Sequence, residues 1–294
     1  MLSRLLPRDT MEYRQRLEAQ LADASWIEAG TDVEAGVAAG REAAAQALAH
    51  AATDGWSAPW TGTIPTGPGF WQPENGNTAA PGGISIATAR PFVMESPSQF
   101  RPDAPPAFGS AEFLAALAEV RQVADTRTPA QDSIAKFWNS GIGASTPPAF
   151  WHREATRLAG AHRLTERATA HLMAVNGMAA FDALIACNDA KYVYWVLRPS
   201  QADPAIVKSF GNPHFPSFPS NHACISAAQA EVIATFFPAE RARLHALADE
   251  AALSRVFAGT HFRFDGEVGL DIGRKVARQV LMHDRSGHVP APMQ

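Results

Sequence analysis

Cysteine is nearly absent from this chain, and that scarcity is the first constraint on what it can be. With only Cys187 and Cys224 among 294 residues, there is no disulfide framework and no CxxC motif for metal or redox chemistry. Cys224 lies two residues after His222 but has no charged neighbour to activate it, so a buried, inert thiol is expected. Net charge is also lacking. Against 25 Lys and Arg stand 29 Asp and Glu, a formal -4 at pH 7, so nucleic acid and anionic membrane are not expected partners. No uninterrupted apolar run approaches the roughly 20 residues of a membrane span. The first 20 residues carry Arg4, Arg8, Arg14 and Arg16 without an apolar signal-peptide core. A soluble protein with no visible export signal is the expectation. Alternation at the strand period is missing as well, which removes a sheet from consideration.

What is present is alanine at helical spacing and proline in one long block. Hydrophobic residues make up 46% of the chain and charged ones 18%, a composition that folds around a core. Helices are expected over 11–24 and 32–52, the second capped by Asp32. Others are expected over 111–123, from Pro129 to Trp138, and over 149–159, 165–196, 221–236, 239–247, 250–257 and 266–282. Phe113, Leu114, Leu117 and Val120 share one face. The 165–196 segment has small residues nearly all round (Ala168, Ala174, Gly177, Ala180, Ala183), which marks a helix buried among others. Val268, Ile272, Val276 and Val280 form one stripe on the last helix. From 55 to 110, prolines recur too often for a helix or central strand, yet Trp56, Trp60, Phe70, Trp71, Phe92 and Phe100 demand burial. That segment is read as a loop wrapped over a helical body. The fold class is all-α, a helical bundle architecture with a long Pro/Gly/Trp-rich wrapping loop. It is read as one domain, 1–294, comprising N-terminal helices (1–54), the loop (55–110) and a helical core (111–294).

Chemistry concentrates in three clusters between Lys191 and Asp265. Lys191 and Arg198 are seven apart, two helical turns, so both can face one side of a helix end that Pro199 stops. Ser220, after Phe218-Pro219, is a candidate N-cap. Its hydroxyl and the Asn221 N–H would face an anion at a helix N-terminus, and His222 on the first turn could pass a proton near neutral pH. Arg255 offers a fork for two anion oxygens. Asp265, four residues beyond His261, could hold one imidazole nitrogen protonated and leave the other free as nucleophile or metal ligand.

In this order, K-x6-RP, P-S-x-H and S-R-x5-H-x3-D resemble the superfamily that joins type 2 phosphatidic acid phosphatases, bacterial class A acid phosphatases and vanadium-dependent haloperoxidases. The resemblance covers 191–265. Weaker echoes of soluble bacterial haloperoxidase-like proteins lie upstream in Pro97-Ser-Gln-Phe-Arg101-Pro102, Lys136-Phe137-Trp138 and Thr146-Pro147-Pro148-Ala-Phe-Trp151. It implies two four-helix bundles side by side. It also implies that Lys191, Arg198, Ser220, Asn221 and Arg255 bind the oxyanion, with His222 as the acid–base group. His261 would be either the phosphate-carrying nucleophile or the axial vanadium ligand, oriented by Asp265. Phe215, seven before His222, stands where chloride-oxidising relatives tend to have Phe and bromide-oxidising ones His. The chain departs from the pattern in two ways: Asn221 replaces the usual glycine, and Asn139 and Ser140 stand where haloperoxidase-like relatives usually carry an acidic residue.

The expected function is a vanadate-dependent, haloperoxidase-like oxidation of halide by hydrogen peroxide. The alternatives are an acid phosphatase that acts on phosphomonoesters through phosphohistidine and needs no cofactor, and a non-catalytic oxyanion-binding protein. A zinc hydrolase ranks lower, because no H-x3-H or CxxC pattern exists and flanking arginines disfavour a bare cation. Relatives are often exported.

Overall fold

The computed structural model describes residues 4, 6–23, 32–139 and 146–284. The chain divides into two compact units, Met1–Gly55 and Trp56–Gln294. The first holds α1 (Thr10–Ala22) and α2 (Val33–Thr53). Asp32 caps α2 by accepting the Ala35 N–H at 2.9 Å, which satisfies one of the donors a helix start leaves open.

The second unit carries α3 (Ala111–Asp125), α4 (Pro129–Trp138), α5 (Pro147–Ala161), α6 (Glu166–Tyr194) and the single turn α7 (Pro199–Ala202). After these come α8 (Asn221–Phe236), α9 (Arg241–Phe257) and α10 (Arg263–His283). The fold is all-α. Among the described residues the only β-type pairing is an isolated bridge between Phe70 and Val196. Helix α8 is the hub and packs against α5, α6, α9 and α10. Its buried positions are mostly small (Ala223, Ala227, Ala228, Ala230, Ala234), so neighbouring backbones come close. On α10, a Cβ at Gly273 would stand 2.2 Å from the Cys224 carbonyl oxygen, so only glycine permits the approach. Along α10, Ile272, Val276 and Val280 are buried and Val268 packs against them, as the stripe predicts. Each such burial contributes about 1.5–3 kcal/mol.

Three expectations change. The segment read as two helices, 239–247 and 250–257, is the single helix α9. Nothing between Leu247 and Glu250 breaks a helix, and Leu244, Ala248, Ala251, Ala252 and Arg255 form a continuous buried face. Cys224 is buried but not a thiol: it pairs with Cys187 in a disulfide, Cα–Cα 6.3 Å, where the small residues of α6 and α8 let the helices meet. Helix α6 proves long and apolar enough to cross a membrane by length and composition. With 61% of its most apolar window buried inside the fold, core packing accounts for that apolarity. The break expected at 141–145, and Ser140, lie outside the described residues.

Apart from the Phe70 bridge, the regular structure of residues 56–110 is a 3₁₀ turn at Ser85–Thr88, and the segment is gripped by α6. Buried Asp182 accepts the N–H groups of Phe92, Val93 and Met94 at 2.7, 2.8 and 3.0 Å. Asp189 takes both arms of Arg101 at 2.7 Å. The Tyr192 and Tyr194 hydroxyls donate to the Gly82 and Pro102 carbonyls, each at 2.6 Å. Helix α6 ends in Trp195, held at φ 52°. A non-glycine residue adopts this left-handed conformation only at a cost of about 1–2 kcal/mol. The Trp71 N–H, donating to the Trp195 carbonyl at 2.7 Å, and the ring contact of the two indoles hold it there.

Candidate active site

The chain gathers its three clusters where α6, α8, α9 and α10 converge. Lys191 sits in the last turn of α6, Arg198 just past it at the start of α7, and Arg255 in the last turn of α9. Gly259, at φ 74°, turns the chain out of α9, a conformation glycine adopts without steric cost. The turn delivers His261 just ahead of α10, whose first turn carries Asp265. His222 lies on the first turn of α8. A cleft of about 260 Å³ opens onto Asn139, Phe210, Phe215, Asn221, His222, Arg255 and His261.

The protonation of His261 follows from its neighbours. Arg198 Nη1 lies 2.8 Å from His261 Nε2; a guanidinium can only donate, so Nε2 is the acceptor. Nδ1 then carries the proton and donates to Asp265 Oδ2 at 2.7 Å. Asp265 Oδ2 also receives the Ser217 hydroxyl at 2.5 Å and the Phe262 N–H at 3.1 Å. Burial lifts Asp265 to about 6, opposed by the Ser217 hydrogen bond and by Lys191 and Arg198. Burial, then the repulsion of Arg198, Lys191 and Arg255, holds His261 well below its ordinary value, so the ring is neutral.

His222 Nε2 stands 2.8 Å from the Trp138 carbonyl oxygen and 2.9 Å from Arg255 Nη1. One nitrogen cannot donate and accept at once. A protonated Nε2 serves the carbonyl, and a bare Nε2 receives the guanidinium. The site thus has a place for the ring in either state. Burial and the charges of Arg255, Arg198 and Lys191 push His222 well below its usual value, leaving it neutral.

Three cations meet a single buried carboxylate here. Lys191 and Arg198 are fully buried and Arg255 is 3% exposed. Burial pushes Arg198 down to about 10; burial and Arg198 push Arg255 to about 9, so both stay charged at neutral pH. Arg198 Nη2, Arg255 Nε and Ser220 Oγ are buried without any protein partner. Buried donors are almost always satisfied, and an uncompensated buried charge is costly. A small multivalent oxyanion would answer both deficits.

The spacing of Lys191 and Arg198 does not act as their separation implies. Helix α6 ends at Tyr194 and Arg198 lies beyond it, so the two do not share a helix face. Like the fully buried Arg198 and Ser220, Lys191 is not part of the cleft lining. Its ammonium donates to the carbonyls of Pro216, Ser217 and Pro219 at 2.8, 2.9 and 2.5 Å, gathering the turn ahead of α8. Burial and Arg198 hold it well below its ordinary value. Ser220 occupies the N-cap position of α8 but makes no capping bond, which leaves its hydroxyl available. Asn221 lines the cleft with its Oδ1 unpartnered. The Phe215 ring covers Lys191 Nζ at 5.2 Å and Arg198 Cζ at 5.0 Å, and Phe210 covers Arg255 Cζ at 4.9 Å. Asn139 lines the cleft where an acidic residue was expected from the resemblance. Ser217 and Phe210 escaped sequence reading. The tandem Phe-Pro-Ser-Phe-Pro-Ser at 215–220 is the signal that could have found the serine.

Known proteins resemble this chain over the same region. Residues 171–284 match the family model of the PAP2 superfamily. A bacterial vanadium-dependent iodoperoxidase is 29% identical, with a TM-score of 0.67 over 75% of this chain; the chain spans 62% of that protein's length. The holo form of a bacterial vanadium-dependent chloroperoxidase shares the fold at 15% identity, TM-score 0.73, over 97% of this chain and 80% of its own. The apo form gives 15% and 0.71, over 96% and 81%. No curated protein matches the chain. The helices that build this cleft fall within the matched segment or pack against it, and it is over this segment that the chain resembles the PAP2 superfamily.

Proposed function

We propose that the cleft binds vanadate and that the protein is a vanadium-dependent haloperoxidase-like enzyme, oxidising halide with hydrogen peroxide. The observation that carries this reading is the cluster of three buried cations against one carboxylate, with two guanidinium nitrogens and a serine hydroxyl left unpartnered. Arg198, Arg255 and Ser220 would hold the oxyanion, and the His261 Nε2 lone pair would anchor its central atom. Bound there, vanadate would supply the Lewis-acid centre at which peroxide becomes an oxidant. The protein's own work is electrostatic and protonic. Arg198 and Arg255 neutralise oxyanion charge in a site that Phe210 and Phe215 keep apolar. His222 would exchange a proton with the bound oxyanion, Arg255 donating to its bare Nε2 and the Trp138 carbonyl accepting from the protonated one. A bound dianion offsets the cations that hold His222 down, raising its pKa toward the range where it can act as an acid. The likeness to the iodoperoxidase supports the halide reading over others.

Reconstitution with orthovanadate, followed by peroxide assays with iodide, bromide and chloride, tests it. Halide oxidation that requires vanadate is expected; inactivity with all three halides rejects the proposal. The second reading, a phosphomonoesterase, draws on the His261–Asp265 pair, which presents an Nε2 lone pair as a nucleophile would. Phosphate trapped on the wild-type protein and lost in His261→Ala would establish it.

A further inference from the structure

Lys191, Arg198, Ser220, Arg255 and the two histidines carry the reading above, but none explains how His261 keeps its orientation once an oxyanion arrives. In the present arrangement Arg198 fixes Nε2 from one side and Asp265 fixes Nδ1 from the other. An incoming oxyanion competes for the Arg198 guanidinium and for Nε2 at once, so the Arg198–His261 bond is the one that yields. From then on the ring is oriented only through Asp265.

Asp265 is itself held unevenly. Oδ2 collects three donors, while Oδ1 is buried with none. One of the three, the Ser217 hydroxyl, is a rigid fixture. Ser217 is fully buried, its N–H donates to the Val196 carbonyl at 2.8 Å, and its own carbonyl accepts from Lys191 Nζ at 2.9 Å. Its Oγ also lies 3.5 Å from His261 Nδ1, at the limit of contact.

We propose that Ser217 is a positioning residue for His261: its hydroxyl locks the Asp265 carboxylate with Oδ2 toward Nδ1, so the ring keeps its Nδ1–H tautomer and offers Nε2 to the oxyanion. Without that hydroxyl, Oδ2 keeps only the Nδ1–H and the Phe262 N–H. Rotation of the carboxylate then exchanges Oδ2 for the unpartnered Oδ1. The imidazole is free to turn or to shift its proton to Nε2, and an Nε2–H cannot anchor an oxyanion. Lys191 acts one step further back, by holding the turn on which Ser217 sits. The consequence for binding rests on the oxyanion reading; the tautomer itself does not.

The test has two arms. In the oxyanion-free protein, ¹⁵N NMR of the histidine rings reads the His261 tautomer directly. The wild type is expected to show Nδ1–H, and Ser217→Ala a mixed or Nε2–H pattern, with Ser217→Thr restoring the first. In the second arm, inorganic phosphate and orthovanadate are titrated calorimetrically. Ser217→Ala is expected to weaken both by about tenfold or more, the usual effect of losing the group that orients a ligand, with Ser217→Thr recovering most of it. A wild-type tautomer retained in Ser217→Ala overturns the proposal, as does weaker binding with no tautomer change. A shifted tautomer with no oxyanion binding by the wild type leaves the positioning role standing and removes the functional reading. If Ser217→Ala does not fold, the wild type decides the matter. A slowly exchanging Ser217 hydroxyl proton close to the His261 Nδ1 proton supports the proposal, and its absence refutes it.

Discussion

Two regions along one helix treat buried charge in opposite ways. On the middle of α6, Asp182 receives three backbone N–H groups and Asp189 a two-armed arginine, so the carboxylates that grip residues 90–101 are fully answered by protein. At the end of the same helix, Lys191 joins Arg198 and Arg255 around one carboxylate, with guanidinium nitrogens unpartnered. The first arrangement is complete without any ligand and fixes the fold. On the proposed reading the second is completed by a multivalent anion, which is what would separate a structural charge from a functional one. Lys191 lies between the two cases: it is a cation, yet its protons are spent on carbonyls.

That contrast breaks most visibly at Asp182. In Asp182→Ala, three N–H groups lose their acceptor in a packed environment, and stability is expected to fall by about 3 kcal/mol. Phosphate affinity should stay within about threefold of wild type. A thermal melt and a calorimetric titration check both, and an unchanged melt would show that the grip on the wrapping segment is dispensable. Next in size is Arg255→Met. Its hydrogen bond to the Ala135 carbonyl is lost, but so is a repelled, buried charge. The melt should therefore move by about 1 kcal/mol or less, while oxyanion affinity falls about 100-fold. Unchanged affinity would mean that the unpartnered Nε faces no ligand.

The sequence showed the fold's helices well because their boundaries are written locally. Asp32, Ser110, Thr128 and Thr165 each accept a backbone N–H at the start of a helix, and Pro238 follows the end of α8. It misplaced a break inside α9 because no residue there enforces one. In the site, residue identity was legible but direction was not. Lys191 and Arg198 read as a pair by spacing, yet the spacing assumed a helix that ends at Tyr194. Whether an ammonium faces a ligand or a carbonyl depends on a turn 25 residues away. Ser217 was hidden for the same reason: its role exists only once Asp265, 48 residues on, is beside it. Pairing of Cys187 with Cys224 likewise depends on how closely α6 and α8 pack, which the small residues hint at without stating.

The smallest effect, about tenfold per pH unit, sharpens the comparison most, because it separates the anion-completed region from the self-completed one by a proton. His222 is held well below its ordinary value by burial and by Arg255, Arg198 and Lys191. Unfolded, it would titrate near 6.5. The folded, oxyanion-free protein therefore binds fewer protons than the unfolded chain as pH falls below that value, and this group's contribution to stability, complete above it, is lost on acidification. A dianion reverses the coulombic part of that shift. Binding then draws in a proton at His222 wherever the pH lies between its free and bound values, and over that window affinity for sulfate, whose charge is constant, should rise by up to about tenfold for each pH unit lowered. His152 on α5, also lowered by burial, lies away from the cleft lining and affects the free and bound forms alike. Asp265, raised to about 6, works in the opposite direction on stability, gaining protons in the folded state as pH falls. The measurement is therefore the sulfate affinity, not the melt alone. His222→Gln should flatten the rise and leave affinity at pH 7.5 nearly unchanged; a wild-type profile that is flat from pH 7.5 to 5 would show that the cations around His222 are already neutralised within the protein.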